Sequence, residues 1–136
     1  MKRVLQCAVL VVVAATMAAC STPSVSALRE SFAQQLGSNK FIKDFQRNGD
    51  DLTFSGPGAE GGVAKWRVHI DSATIEPTGD AAQPYKGVVK SSWYSGTQLV
   101  QPRGRESNLP IELTDNGLAQ DCWALWDKAA KRWSWE

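Results

Sequence analysis

Histidine and cysteine are scarce in this 136-residue chain, and that scarcity removes whole classes of chemistry. His69 is the one histidine, and Cys7, Cys20 and Cys122 are the three cysteines. Metal sites draw on about three or four nitrogen, sulfur or oxygen ligands. One imidazole and so few thiols cannot build a zinc site without carboxylates, and no Asp-rich loop has calcium spacing, so neither metal nor cofactor is expected. Basic residues are not in surplus: 15 Lys and Arg face 14 Asp and Glu. Gripping phosphates takes a clustered excess of cations, which excludes nucleic acid as a partner. Gln101–Ser107 holds only two arginines and reads as a solvated loop. The glycine-rich stretch Gly56–Gly62 lacks a Gly-Lys-Ser/Thr ending and precedes a strand, so it has no nucleotide role. Long hydrophobic runs are also missing. Val4–Ala19, sixteen residues without a charge, would rise about 24 Å as a helix, short of the roughly 30 Å hydrocarbon core of a bilayer.

That apolar run follows Lys2 and Arg3 and ends in small residues, Met17-Ala18-Ala19-Cys20. A short cationic start, an apolar middle and a small-residue end form the layout of a removable export signal. The segment resembles the bacterial lipoprotein signal, whose lipobox has an aliphatic residue, two small residues and a cysteine; Met17 stands where Leu is usual. The resemblance implies a diacylglyceryl group on the Cys20 thiol, cleavage between Ala19 and Cys20, and a fatty acyl chain such as palmitate on the freed amine. Several acyl chains make a lasting anchor, because each buried methylene is worth about 0.8 kcal/mol. In this family an Asp after the cysteine tends to retain the protein in the inner membrane. Ser21 occupies that position, so the outer membrane, facing the periplasm, is the implied location. The chain then divides into a signal at 1–19, a polar tether at 20–26 and a single domain at 27–136. Loss of Lys2 and Arg3 leaves 13 basic and 14 acidic residues, a mature charge of −1. Cys122 is expected as a buried thiol, with an intermolecular disulfide as the alternative.

Tryptophan is the abundant large residue. All six (Trp66, Trp93, Trp123, Trp126, Trp133, Trp135) lie behind the signal, and each ring can remove about 150–250 Å² from water. Val25, Leu28, Phe32 and Leu36 follow helical spacing, with Ser24 as N-cap and Gly37 past the end, so the pattern predicts a helix from about Ser24 to Leu36. Beyond Gly37 the period is two. Phe41–Arg47 and Asp51–Ser55 read as strands joined by the turn Asn48-Gly49-Asp50. Trp66, Val68 and Ile70 alternate with Lys65, Arg67, His69 and Asp71. After the turn Pro77–Pro84, Tyr85, Val89 and Trp93 alternate with Lys86, Lys90 and Tyr94. With Pro77 opposite Pro84, Val68 pairs with Trp93 on the dry face, while Arg67 pairs with Tyr94 and Asp71 with Lys90 on the wet one. Thr97–Val100 extends that strand, Leu109–Thr114 adds another, and Asn116-Gly117 turns the chain into a terminal hairpin of Gln120–Trp126 and Arg132–Trp135. The expected fold is α+β: one N-terminal helix on a curved antiparallel sheet of about five to seven strands, or alternatively a small open β-barrel.

Candidate chemistry is thin. His69 lies between Arg67 and Asp71 on a charged face, with Ser92 opposite it in the hairpin register. A Ser–His–Asp trio could be drawn there, although the surface-row reading is simpler, since a base needs a nucleophile in reach and an orienting third group. Paired carboxylates for glycoside cleavage could come from Asp71, Glu76, Glu112 or Asp121, and nothing selects two of them. Trp123 and Trp126, three residues apart, cannot both face inward on a strand. Trp123, Trp126, Trp133 and Trp135 are therefore the candidate binding surface for a protein partner or a sugar ring. The expectation is a lipid-anchored, non-enzymatic binding module for another envelope protein, such as a secretion component or a toxin to be neutralised. A peptidoglycan- or glycan-binding lipoprotein is the alternative, and a hydrolase with an unrecognised site the second alternative.

Overall fold

A computed structural model describes residues 22–58, 61–100, 107–108 and 121–135. The signal with its cleavage site at Ala19 and Cys20, the strand at 109–114 and the turn at 116–117 lie outside the described residues. Ser24 starts the helix as expected: its backbone is extended, and its side chain accepts a hydrogen bond from the Ala27 N–H at 3.0 Å. This satisfies one of the orphan donors of the first turn. The helix, α1, spans Val25–Gly37 and buries Leu28, Phe32, Ala33 and Leu36. Val25 belongs to the same sequence stripe but is exposed. At the other end Gly37 lies under the Phe45 ring, where a Cβ would come within 2.9 Å of Phe45 Cδ1.

Among the described residues seven strands follow: β1 Lys43–Asn48, β2 Asp51–Pro57, β3 Val63–Pro77, β4 Tyr85–Ser95, β5 Gln98–Leu99, β6 Asp121–Asp127 and β7 Arg132–Ser134. They form one strongly curled antiparallel sheet in the order β1-β2-β3-β4-β6-β7, with β5 on β4, and the sheet closes about halfway to a barrel. The fold is therefore α+β with a curved sheet. α1 packs against the concave face. Leu52, Phe54, Trp66, Val68, Ile70, Val89, Trp93, Cys122, Ala124, Trp133 and Trp135 are buried with the helix residues in one core. Phe54 and Trp66 each meet Trp93 edge-on with centroids 6.0 Å apart, an arrangement favoured by the ring quadrupoles. Trp135 reaches the helix, donating from Nε1 to Ser31 Oγ at 2.9 Å and packing on Phe32 at 5.9 Å.

Three local features differ from the sequence reading. In the β1–β2 turn the two central residues are Gly49 and Asp50, because Asn48 pairs with Asp51; Gly49 takes φ +62°. The β3–β4 hairpin keeps the expected register from Trp66–Ser95 through Ile70–Ser91, including Val68–Trp93 and Arg67–Tyr94. A bulge then intervenes, so Lys90 faces Ser72 rather than Asp71, and Pro77 faces Tyr85 rather than Pro84. An extra residue in one strand reverses which side chains point inward beyond it. Inward positions accordingly run Trp66, Val68, Ile70 and then Ala73 and Ile75. Finally, Thr97–Val100 does not prolong β4. Gly96, at φ +63°, turns the chain back so that Gln98 and Leu99 pair with Ser95 and Tyr94.

Candidate functional site

Outward-facing side chains of β2, β3 and β4 line up in cross-strand rows. Thr53, Arg67 and Tyr94 form one row; Asp51, His69 and Ser92 form the next. Asp51 is the hub of the second. Its Oδ1 lies 3.0 Å from His69 Nδ1 and 3.3 Å from an Arg67 guanidinium nitrogen. The His69 hydrogen bond, and beside it the Arg67 charge, hold the Asp51 carboxyl below its ordinary value. Arg67 also stacks over Tyr94, with 4.1 Å from guanidinium carbon to ring centroid, a cation–π contact.

These pairings dissolve the trio suggested by the sequence. Ser92 Oγ donates to Asp71 at 2.6 Å, while His69 turns to Asp51 on the neighbouring strand. The bulge lies immediately at Asp71. It swings this carboxylate out of the straight row with His69 and toward Ser92. Serine and histidine thus have separate carboxylates, and no serine–imidazole contact links them.

Beside the first row the outer face opens into a cleft of about 410 Å³, lined by Asp44 and Gln46 of β1, Thr53 and Ser55 of β2, and Lys65 and Arg67 of β3. A second bulge shapes it. Lys43 faces Ser55 and Gln46 faces Thr53, so β1 spends one more residue than β2 between these pairs, with Asp44 at φ +57°. Left-handed conformations are several-fold enriched in Asp and Asn. The extra residue turns Phe45 toward the core and Asp44 toward the cleft. Two cations, one carboxylate, two hydroxyls and an amide share the lining with Phe54, Trp66 and Gly96. Such a set can hold a polar or anionic group by hydrogen bonds. Sequence reasoning missed this site because a β-bulge leaves no mark in an alternating pattern.

The carboxy-terminal tryptophans do not make one surface. Trp133 and Trp135 are 6% and 3% exposed and belong to the core under α1. Trp126 is half-buried and pairs across the hairpin with Trp133, the ring centroids 5.3 Å apart. Trp123 has the opposite parity, as its spacing from Trp126 requires, and lies half-buried on the outer face with Lys86 Nζ 5.0 Å above its ring. Of the four rings of the candidate binding surface, Trp123 alone lies on the outer face, while the half-buried Trp126 sits on the opposite one against the core. Trp133 Nε1 is buried and has no hydrogen-bond partner among the described residues, a local cost of about 1–3 kcal/mol by usual measures. Cys122 is fully buried as a thiol in the core.

Among the described residues no helix is long and apolar enough to cross a membrane, and no three His, Cys, Asp or Glu side chains are grouped to hold a metal ion. Comparison with known protein families, with curated proteins and with solved structures finds no match for this chain.

Proposed function

We propose that the chain is a bacterial envelope lipoprotein, anchored through lipid on Cys20, whose folded domain acts as a non-enzymatic binding module for another envelope protein such as a secretion component or a toxin to be neutralised. The observation that carries the reading is the sequence Met17-Ala18-Ala19-Cys20 behind Lys2, Arg3 and sixteen uncharged residues. The folded part supports it by beginning close behind: Pro23 is already buried and Ser24 caps the helix. Val25 and Ser26, assigned to the tether by composition, belong to α1. Recognition chemistry is available on the outer face, in the Asp44–Lys65–Arg67 cleft and at Trp123. Outer-membrane attachment facing the periplasm is part of the proposal, on the strength of Ser21 after the lipid-bearing cysteine.

Radiolabelled palmitate tests the anchor. The wild-type chain takes up label and Cys20→Ala does not; label retained by Cys20→Ala defeats the assignment. Affinity capture from detergent-solubilised envelopes tests the role, since a reproducible stoichiometric protein partner is expected and its absence removes the binding-module reading. A glycan-binding role is the second reading, favoured by the hydroxyls, amide and paired cations of the cleft. It predicts co-sedimentation with purified peptidoglycan that is weakened in Lys65→Gln.

A further inference from the structure

The course of α1 over the sheet decides which end of the domain the lipid-bearing residue is tied to. Ser31 and Phe32 touch Trp135. One helical turn earlier, Leu28 and the Trp133 ring meet above Gly87, where a Cβ would fall 2.6 Å from Leu28 Cδ1 and 3.0 Å from Trp133 Cζ3. A helical turn rises about 5.4 Å and two strand residues about 6.6–6.8 Å, so helix and strand stay in step. The same step taken once more brings the Ser24 end of α1 toward Lys131, in the turn between β6 and β7. The β3–β4 turn joins this end, since the Lys128 N–H donates to the Ala82 carbonyl at 3.5 Å.

Resting on the lipoprotein reading above, we infer that this end of the domain, built from the start of α1 and the β6–β7 and β3–β4 turns, docks on the anionic phospholipid headgroups around the anchor. Only Ser21 and Thr22 separate Cys20 from the buried Pro23. At about 3.8 Å per Cα step, three steps span at most about 11 Å. That reach is close to the Debye length of roughly 8–10 Å at physiological salt, so the end cannot rise clear of the surface field. Its chemistry suits that place. Lys128, Lys131 and Arg132 are exposed, as are Ala81, Ala82, Ala129, Ala130 and Val25. Cations near an anionic leaflet are attracted to it, and apolar tips enter the headgroup boundary. Two neighbouring carboxylates are engaged within their own turns: the half-buried Asp127 accepts the N–H groups of Ala129 and Ala130, and the exposed Asp80 that of Ala82. In this orientation the cleft at Lys65 lies on the far side of the domain, twelve residues up β3 from Pro77, or about 40 Å of strand. It opens away from the membrane together with the exposed Val63 and Leu99.

Depth-dependent quenching tests the docking on the full acylated chain. Fluorophores are attached to Ala130→Cys or to Val63→Cys, Cys122 being buried and beyond the reagent, and each protein is reconstituted into phosphatidylglycerol-containing vesicles with headgroup spin-labelled lipid. Quenching several-fold stronger at position 130 than at position 63 is expected, and the triple change Lys128→Gln, Lys131→Gln, Arg132→Gln should weaken it. Equal quenching at both positions, stronger quenching at 63, or no response to the triple change overturns the docking. Palmitate incorporation is measured on the same samples. A chain without label fails the lipoprotein reading, whereas a labelled chain with an unquenched position 130 fails the docking alone.

Discussion

At Gly87 the helix comes close over the sheet, and Gly87→Ala measures how tightly that seam is closed. A Cβ built there lies 2.6 and 2.9 Å from the two Leu28 methyls and 3.0 Å from Trp133 Cζ3. Leu28 is fully buried and Trp133 nearly so, so neither can swing into solvent to make room. Overpacking of this kind costs about 1–3 kcal/mol. At about 4 °C per kcal/mol for a domain of this size, the melting temperature falls by about 4–12 °C. Leu28→Ala alone leaves a cavity and costs about 2–5 kcal/mol. The double variant should be less destabilised than the sum of the two, by at least about 1 kcal/mol, because the methyl added at 87 enters the space vacated at 28. Urea unfolding followed by tryptophan fluorescence supplies all three values. A Gly87→Ala protein as stable as wild type, or strictly additive effects in the double variant, would refute the packing argument.

Two further outcomes follow from the outer face. The Asp51 carboxyl is held below the ordinary carboxylate value, chiefly by the His69 hydrogen bond, so the unfolded chain binds its proton first and stability rises with pH across that range. The contribution is complete above the ordinary value and is lost as pH falls through the lowered one; Asp51→Asn should show a flatter loss of urea midpoint below pH 3.8, and an unchanged slope contradicts the assignment. At the β3 bulge, Asp71→Ala removes one exposed hydrogen bond to Ser92 and costs about 1 kcal/mol or less. Deleting Asp71 removes the extra residue, so that Ile70–Ser91 and Ser72–Lys90 become neighbouring pairs and strict alternation keeps Val68, Ile70, Ala73 and Ile75 on the core face. The deletion, like the substitution, should keep a cooperative thermal transition, and its loss in the deletion alone would count against Asp71 as the extra residue.

Much of this architecture is legible in the sequence because alternation and helical spacing are imposed by burial. The Ser24 cap, the Leu28–Phe32–Leu36 stripe, the Val68–Trp93 and Arg67–Tyr94 pairs, and the opposite parity of Trp123 and Trp126 can all be read directly. The bulges at Asp71 and Asp44 cannot. Each inserts one residue among neighbours whose polarity fits either face, and the backbone resolves the choice only once Ala73, Ile75 or Phe45 finds the core. The partner of His69 was equally hidden, since Asp51 arrives from another strand while Asp71 stands two residues away along the chain. Trp133 and Trp135 looked available for binding because nothing local discloses that α1, about a hundred residues earlier, covers them; the hydrogen bond from Trp135 to Ser31 spans a separation of 104.

Intact-mass and N-terminal peptide mass spectrometry of the protein purified from native membranes tests the anchor most directly. A first residue of Cys20 carrying a thioether-linked diacylglyceryl group and an N-acyl chain is the expected result. An unmodified cysteine, or a mature chain that starts at any other residue, would contradict the anchored binding module proposed for this fold.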